Sequence, residues 1–175
     1  TLALDFEYLA NVAQWTRDRS FRWLSEQDFE TEPIEIFLCD SEDELRRLEA
    51  ELPLPGARGL TRTAKGGYFH SQSAILLLVE EGRSTEWLLS HEMFHSVFRT
   101  LARANPPALN EGLAEVVPSW ILFGQGPTPE DAGATYPGYE AVLDELVASG
   151  HVPSLESFLR LTRDEFHENR WASFA

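Results

Sequence analysis

His91, Glu92 and His95 lie at the centre of Leu88-Leu89-Ser90-His91-Glu92-Met93-Phe94-His95-Ser96-Val97-Phe98, which reads His-Glu-x-x-His. On a helix, residues four apart share a face, one turn above the other, so both imidazoles can reach a single metal ion. Glu92 projects about a third of a turn away, within reach of a water at that ion yet outside the ligand pair. The spacing suits metal-assisted hydrolysis: two imidazoles hold zinc, and the glutamate takes a proton from the water that zinc activates. Apolar neighbours Leu88, Leu89, Phe94, Val97 and Phe98 predict a buried helix, where a glutamate without a partner would be costly.

Zinc of this kind normally takes a third protein ligand and leaves a fourth position for water. Asn110-Glu111-Gly112-Leu113-Ala114-Glu115 offers that ligand. Glu111 and Glu115 are again four apart, so a second helix would present two carboxylates on one face. One would bind the ion. The other would accept the free ring N–H of a ligating histidine and fix its tautomer.

Taken together, His91-Glu92-x-x-His95 and Asn110-Glu111-Gly112-Leu113-Ala114-Glu115 resemble the gluzincins, zinc peptidases whose third ligand is a glutamate. Within them the likeness is to small bacterial peptidases of the aminopeptidase-N-like clan, and it runs from about Pro33 to the end of the chain. The resemblance implies that His91, His95 and Glu111 ligate zinc, that Glu92 is the general base, and that Glu115 supports a ligand histidine, His91 in the first place. In that family a helix after the glutamate motif begins Tyr-x-x-Ser or Tyr-x-x-Gly, then an aromatic and alanine, and its tyrosine can face the scissile carbonyl. Aligning Ser173-Phe174-Ala175 with this pattern puts Arg170 at the tyrosine position. The departure has more than one reading. Arg170 supplies the positive charge that a developing oxyanion needs; or Tyr136, Tyr139 or His151 takes that part; or catalysis is impaired and Arg170 simply faces solvent. The amine-binding Gly-x-Met-Glu-Asn stretch of the clan's aminopeptidases is absent, since Met93 is the only methionine. An endopeptidase or a short-peptide hydrolase is therefore implied.

Such a site needs elements to hold it. Leu2, Phe6, Leu9, Val12 and Trp15 recur at three- and four-residue steps and predict an amphipathic helix within residues 2–24. Pro33 opens a strand ending near Cys39. Ser41-Glu42-Asp43-Glu44 is a capping box for a helix through Leu45, Leu48 and Leu52, stopped by Pro53. Lys65-Gly66-Gly67 reads as the turn of a hairpin between residues 59–63 and 68–70. Residues 73–80 form a strongly apolar strand with two readings: a central strand of the sheet, the favoured one, or, as the hairpin also could be, the edge of a substrate cleft. His70, beside the turn, reads as a surface or rim histidine.

Ser84 or Thr85 caps the metal helix, which runs to about Ala104. Asn105-Pro106-Pro107 stops it, and Leu109 starts the glutamate helix, with Pro118 expected to end or kink that helix. Residues 124–138 are rich in glycine and proline and read as a long loop near the site, a lid or specificity loop. A helix over 139–150 ended by Gly150, and another capped by Ser154, follow. Residues 170–175 look like the start of a helix cut off early.

The 175 residues fit one catalytic domain, with a sheet and metal helix over 1–104 and a helical subdomain over 105–175. The fold class this pattern predicts is α+β; the resemblance implies a zincin-like form, a small twisted sheet with packing helices and a mostly helical C-terminal half. A net charge of −15 argues against nucleic-acid partners and anionic membrane surfaces. A peptide or protein substrate is what the resemblance implies. No apolar run approaches the ~20 residues of a membrane helix, and a soluble chain, cytoplasmic or exported after processing, is expected. Cys39, the single cysteine, excludes an internal disulfide and reads as a buried side chain of a strand. Two rival classes share the motif: a zinc-binding interaction module derived from a peptidase, and a purely structural zinc. Neither needs Glu92, and a closed structural site would favour cysteines, which this region lacks.

Overall fold

The structure, a computed structural model, describes residues 5–24, 33–52, 67–71, 74–79, 84–101, 106–123, 144, 147–150, 154–162 and 165–166. The chain is of the α+β class and divides into two compact units, Thr1–Leu101 and Ala102–Ala175.

The first unit is built on a three-stranded sheet. Its strands are β1 (Glu35–Cys39), β2 (Gly67–Ser71) and β3 (Ala74–Leu78), in the order β1-β3-β2. β1 pairs parallel to β3, Glu35 opposite Ala74 through to Cys39 opposite Leu78. β2 pairs antiparallel, Gly67 opposite Leu77, with a register shift between Phe69 and Ser71. β3 is therefore central, and every one of its residues is buried. That is why Ala74-Ile75-Leu76-Leu77-Leu78 is continuously apolar rather than alternating: both faces of this strand are covered.

The two faces bury different partners. Ile75 and Leu77 pack with Leu9 and Ala13 of helix α1 (Phe6–Leu24) and with Leu88, Leu89 and Met93 of helix α3 (Thr85–Leu101). Leu76 and Leu78 pack with Cys39 and with Leu45 of helix α2 (Glu42–Glu51). Leu76 and Leu77 are wholly inaccessible, and burying such a side chain contributes about 1.5–3 kcal/mol. Substantial packing on opposite sides holds the sheet between α2 and the α1–α3 pair.

Local signals explain the helix ends. Ser41 is the N-cap of α2, its Oγ accepting from the Glu44 N–H, while the Glu44 carboxylate accepts from the Asp40 N–H at 3.1 Å. The capping box thus closes one residue further back than its usual form. Ser84 caps α3: its Oγ accepts from the Trp87 N–H at 3.1 Å. Of the expected hairpin, residues 59–63 lie outside the described residues, and Gly67 belongs to β2 rather than to a turn.

α1 forms, but its buried side differs from the expected one. Leu9 and Val12 are buried, whereas Phe6 is 68% exposed and Trp15 39%. The inward face instead continues through Ala13, Thr16 and Ser20. These small residues let α1 lie close against α3, and the Thr16 and Ser90 hydroxyls meet between them at 2.9 Å.

In the second unit, helix α4 spans Pro107–Phe123. It starts two residues before the expected Leu109, with Pro107 at its first position, where a missing N–H costs nothing. The Pro106 carbonyl accepts from Leu109 and Asn110. α4 does not end at Pro118; it continues through it to Phe123, five residues further. A proline here removes one hydrogen bond to the carbonyl four residues back, a loss the rest of this apolar helix outweighs. Val147–Ser149 are helical, and Gly150 stops them with φ of 68°, the left-handed conformation that favours glycine. Ser154 caps the short helix α5 (Leu155–Leu159), which packs on α4, and Phe158 meets Phe166 at 6.0 Å between ring centroids. Residues 124–138 and 170–175 lie outside the described residues.

Candidate metal centre

α3 carries the centre because three of its sides are committed to packing. Leu88, Leu89 and Met93 face the sheet cluster, Ser90 faces Thr16 of α1, and Phe94, Val97 and Phe98 are buried. Phe94 and Phe98 stack at 5.5 Å between centroids, one turn apart. Rotation of α3 about its axis is thereby fixed, and with it the direction in which the histidines point.

His91 and His95 converge. Their Nε2 atoms are 3.0 Å apart, and their rings meet edge to face at 86° with centroids 4.6 Å apart. The separation is a hydrogen-bond distance, one Nε2–H donating to the other ring according to tautomer. It is also within a few tenths of an ångström of the ~3.3 Å between two nitrogens held on a tetrahedral zinc at 2.0–2.1 Å. Each ring thus offers the same atom, Nε2, to one point, while its Nδ1 is buried on the other side. His91 is 8% exposed and Glu92 5%; His95 is half-buried.

A carboxylate oxygen of Glu92 joins them: the ligand atoms of His91, Glu92 and His95 all lie within 4.8 Å of one another, a group able to hold a metal ion. Among the described residues it is the group of histidine and carboxylate side chains that meets this geometry. The donors are two imidazoles and a carboxylate with no thiolate, a set that zinc and other borderline divalent cations accept. Burying a carboxylate this deeply is costly unless donors or cations face it, and a divalent ion at the histidine pair would be such a cation.

The remaining residues singled out by the sequence belong to other elements or lie outside the described residues. Glu111 and Glu115 stand one turn apart on α4 of the second unit, both half-buried. Gly112, between them, has open space where a Cβ would stand, so its lack of a side chain is not demanded by packing. Arg170, Tyr136, Tyr139 and His151 lie outside the described residues, and so do the side-chain surroundings of His70.

One contact at the centre went unread in the sequence. Trp87, one turn before His91, lays its ring against that imidazole, with centroids 5.2 Å apart and planes at 44°. Trp87, His91 and His95 therefore form a column of three rings along one face of α3. The signal was present as spacing, since an aromatic four residues before a ligand shares its face.

Comparison of the chain with family models, with curated proteins and with solved structures returned no match. No helix among the described residues is long and apolar enough to cross a membrane.

Proposed function

We propose that the protein is a zinc-dependent peptidase of gluzincin type, acting on peptides or proteins. The observation that carries this reading is the convergence of the His91 and His95 Nε2 atoms at 3.0 Å beside the buried Glu92 carboxylate. Two imidazoles aimed at one point account for metal binding. The buried glutamate next to them, which a structural zinc would not need, favours hydrolysis.

In this reading His91 and His95 bind the ion through Nε2 and Glu111 is the third ligand. Bound there, zinc would polarise the scissile carbonyl and make water acidic enough to lose a proton near neutral pH. The Glu92 carboxylate takes that proton as the water oxygen bonds to the carbonyl carbon. It then delivers the proton to the amide nitrogen as the C–N bond breaks, leaving a carboxylic acid and an amine. By the resemblance, Glu115 would accept the second ring N–H of a ligand histidine, His91 in the first place, and so hold the tautomer that leaves Nε2 free to bind. Arg170 is proposed as the group that meets the developing oxyanion, a part worth about 3–4 kcal/mol where comparable donors have been removed.

Glu92→Gln separates chemistry from metal binding. The variant keeps the shape of the side chain but cannot take a proton, so zinc content should stay normal while cleavage of a broad peptide library falls by about 10²–10⁴-fold. Cleavage at the wild-type rate in that variant would rule out Glu92 as the base. Zinc in both proteins with cleavage by neither would favour a metal-binding interaction module derived from a peptidase.

A further inference from the structure

Three constraints meet at Trp87. Its backbone N–H is held by the Ser84 cap at 3.1 Å, which fixes the first turn of α3. Its side chain packs against the cluster of Leu9, Ala13, Ile75, Leu77, Leu88, Leu89 and Met93. Its ring then lies on His91, whose own ring meets His95 edge to face. Cap, core, indole and imidazole form a continuous series of contacts ending at the Nε2 atoms.

A histidine on a helix commonly chooses between two χ1 wells, and its ring can flip about χ2, which makes about four orientations. Of these, one aims Nε2 at the neighbour's Nε2. The indole occupies space on the N-terminal side of the His91 ring, where helical side chains tilt. An orientation that swings His91 toward Trp87 would drive its ring into a side chain already packed on the core. The ligand geometry is therefore set before any ion arrives.

We propose that Trp87 is a positioning residue of the metal centre: it holds the His91 imidazole in the orientation that binds metal, and so raises affinity by preorganisation. This rests on reading the histidine pair as a metal site. Loosening the His91 ring should weaken metal binding, by up to about fourfold where all four orientations open. An aromatic substitute of similar placement should restrain His91 nearly as well, whereas an aliphatic one of comparable hydrophobicity should not.

The test uses the full chain with Zn²⁺ alone, titrated against a chromophoric chelator, in wild type, Trp87→Phe and Trp87→Leu. In parallel, the His91 ring signals of the metal-free proteins are followed by NMR. The expected result is near-wild-type zinc affinity for Trp87→Phe and weaker binding, by up to about fourfold, for Trp87→Leu. The metal-free Leu variant should also lose the ring-current displacement of the His91 signals and show orientational averaging. A Trp87→Leu variant that melts earlier yet binds zinc as wild type does would overturn the proposal, reducing Trp87 to a core residue. Should Trp87→Leu not fold, averaged His91 ring signals in the metal-free wild type would overturn it equally. A wild type that takes up no zinc would instead defeat the metal reading, and the His91 signals would still decide whether Trp87 orients that ring.

Discussion

A carboxylate and a thiol are buried in the same unit, and their surroundings give them opposite characters. Glu92, at 5% exposure, stands beside two imidazoles at a group able to hold a metal ion. Cys39 is wholly inaccessible among Leu45, Ala74, Leu76 and Leu78. Burial pushes its thiol up from 9.0 to about 11, helped by the negative charges of Glu44 and Asp40. The thiolate is the reactive form, so native Cys39 should resist alkylation at pH 8 and react as soon as the chain is unfolded. The same shift sets a sign for stability. Above pH 9 the unfolded thiol ionises while the folded one does not, so stability from this group is lost as the pH rises from about 9 towards 11. Denaturant titrations across that range should show the loss in wild type and a smaller one in Cys39→Ala; rapid alkylation of the native protein, or identical curves, would contradict the assignment. The buried character of Cys39 was legible from its place in an apolar strand. The same held for the histidine pair, because a four-residue step on a helix is a local geometry. Trp87 was legible only in principle, since spacing places a ring near His91 but not the packing that keeps it there.

Helix α3 is kept in place by α1, and the contact depends on residues that hydropathy patterns ignore. Thr16 and Ser90 are fully buried, 74 positions apart in the chain, and share a hydrogen bond of 2.9 Å one residue before His91. Thr16→Val preserves shape but leaves the Ser90 hydroxyl buried without this partner, which should cost about 1–3 kcal/mol. Adding Ser90→Ala removes the stranded group, so the double variant should be less destabilised than the sum of the singles by at least about 0.5 kcal/mol. Strict additivity in chemical denaturation would mean that the two hydroxyls do not support each other. The inward face of α1 could not be read correctly because Ala13, Thr16 and Ser20 are small or polar, while Trp15 is large, apolar and 39% exposed. Trp15 instead lies under the Arg19 guanidinium, 5.3 Å from its ring centre, a contact that lets an aromatic remain near solvent. The elements read most accurately were β3 and α2. One is apolar throughout and the other is bracketed by Ser41 and Pro53, and both signals are local. Of the two readings of Pro118, an end to the helix is overturned, since α4 runs on to Phe123: one missing N–H does not by itself stop a helix.

At the scale of the whole molecule, the α+β class followed from alternating strand and helix signals, but the strand order did not. Placing β3 between a parallel β1 and an antiparallel β2 depends on pairings between distant segments, which no local pattern encodes. The first unit, Thr1–Leu101, presents the histidine pair from a helix braced by a sheet and by α1. That rigidity is what a metal centre asks of a scaffold, since ligands must be held within about 0.5 Å of their working positions. The most direct test is therefore the metal itself. Wild type and His95→Ala would be dialysed against zinc, freed of loose metal and measured by elemental analysis, with circular dichroism as the control for folding. The metal assignment predicts about one zinc per chain in wild type and an empty site in a folded His95→Ala. A wild type without zinc, or a His95→Ala variant carrying as much zinc as wild type, would contradict it.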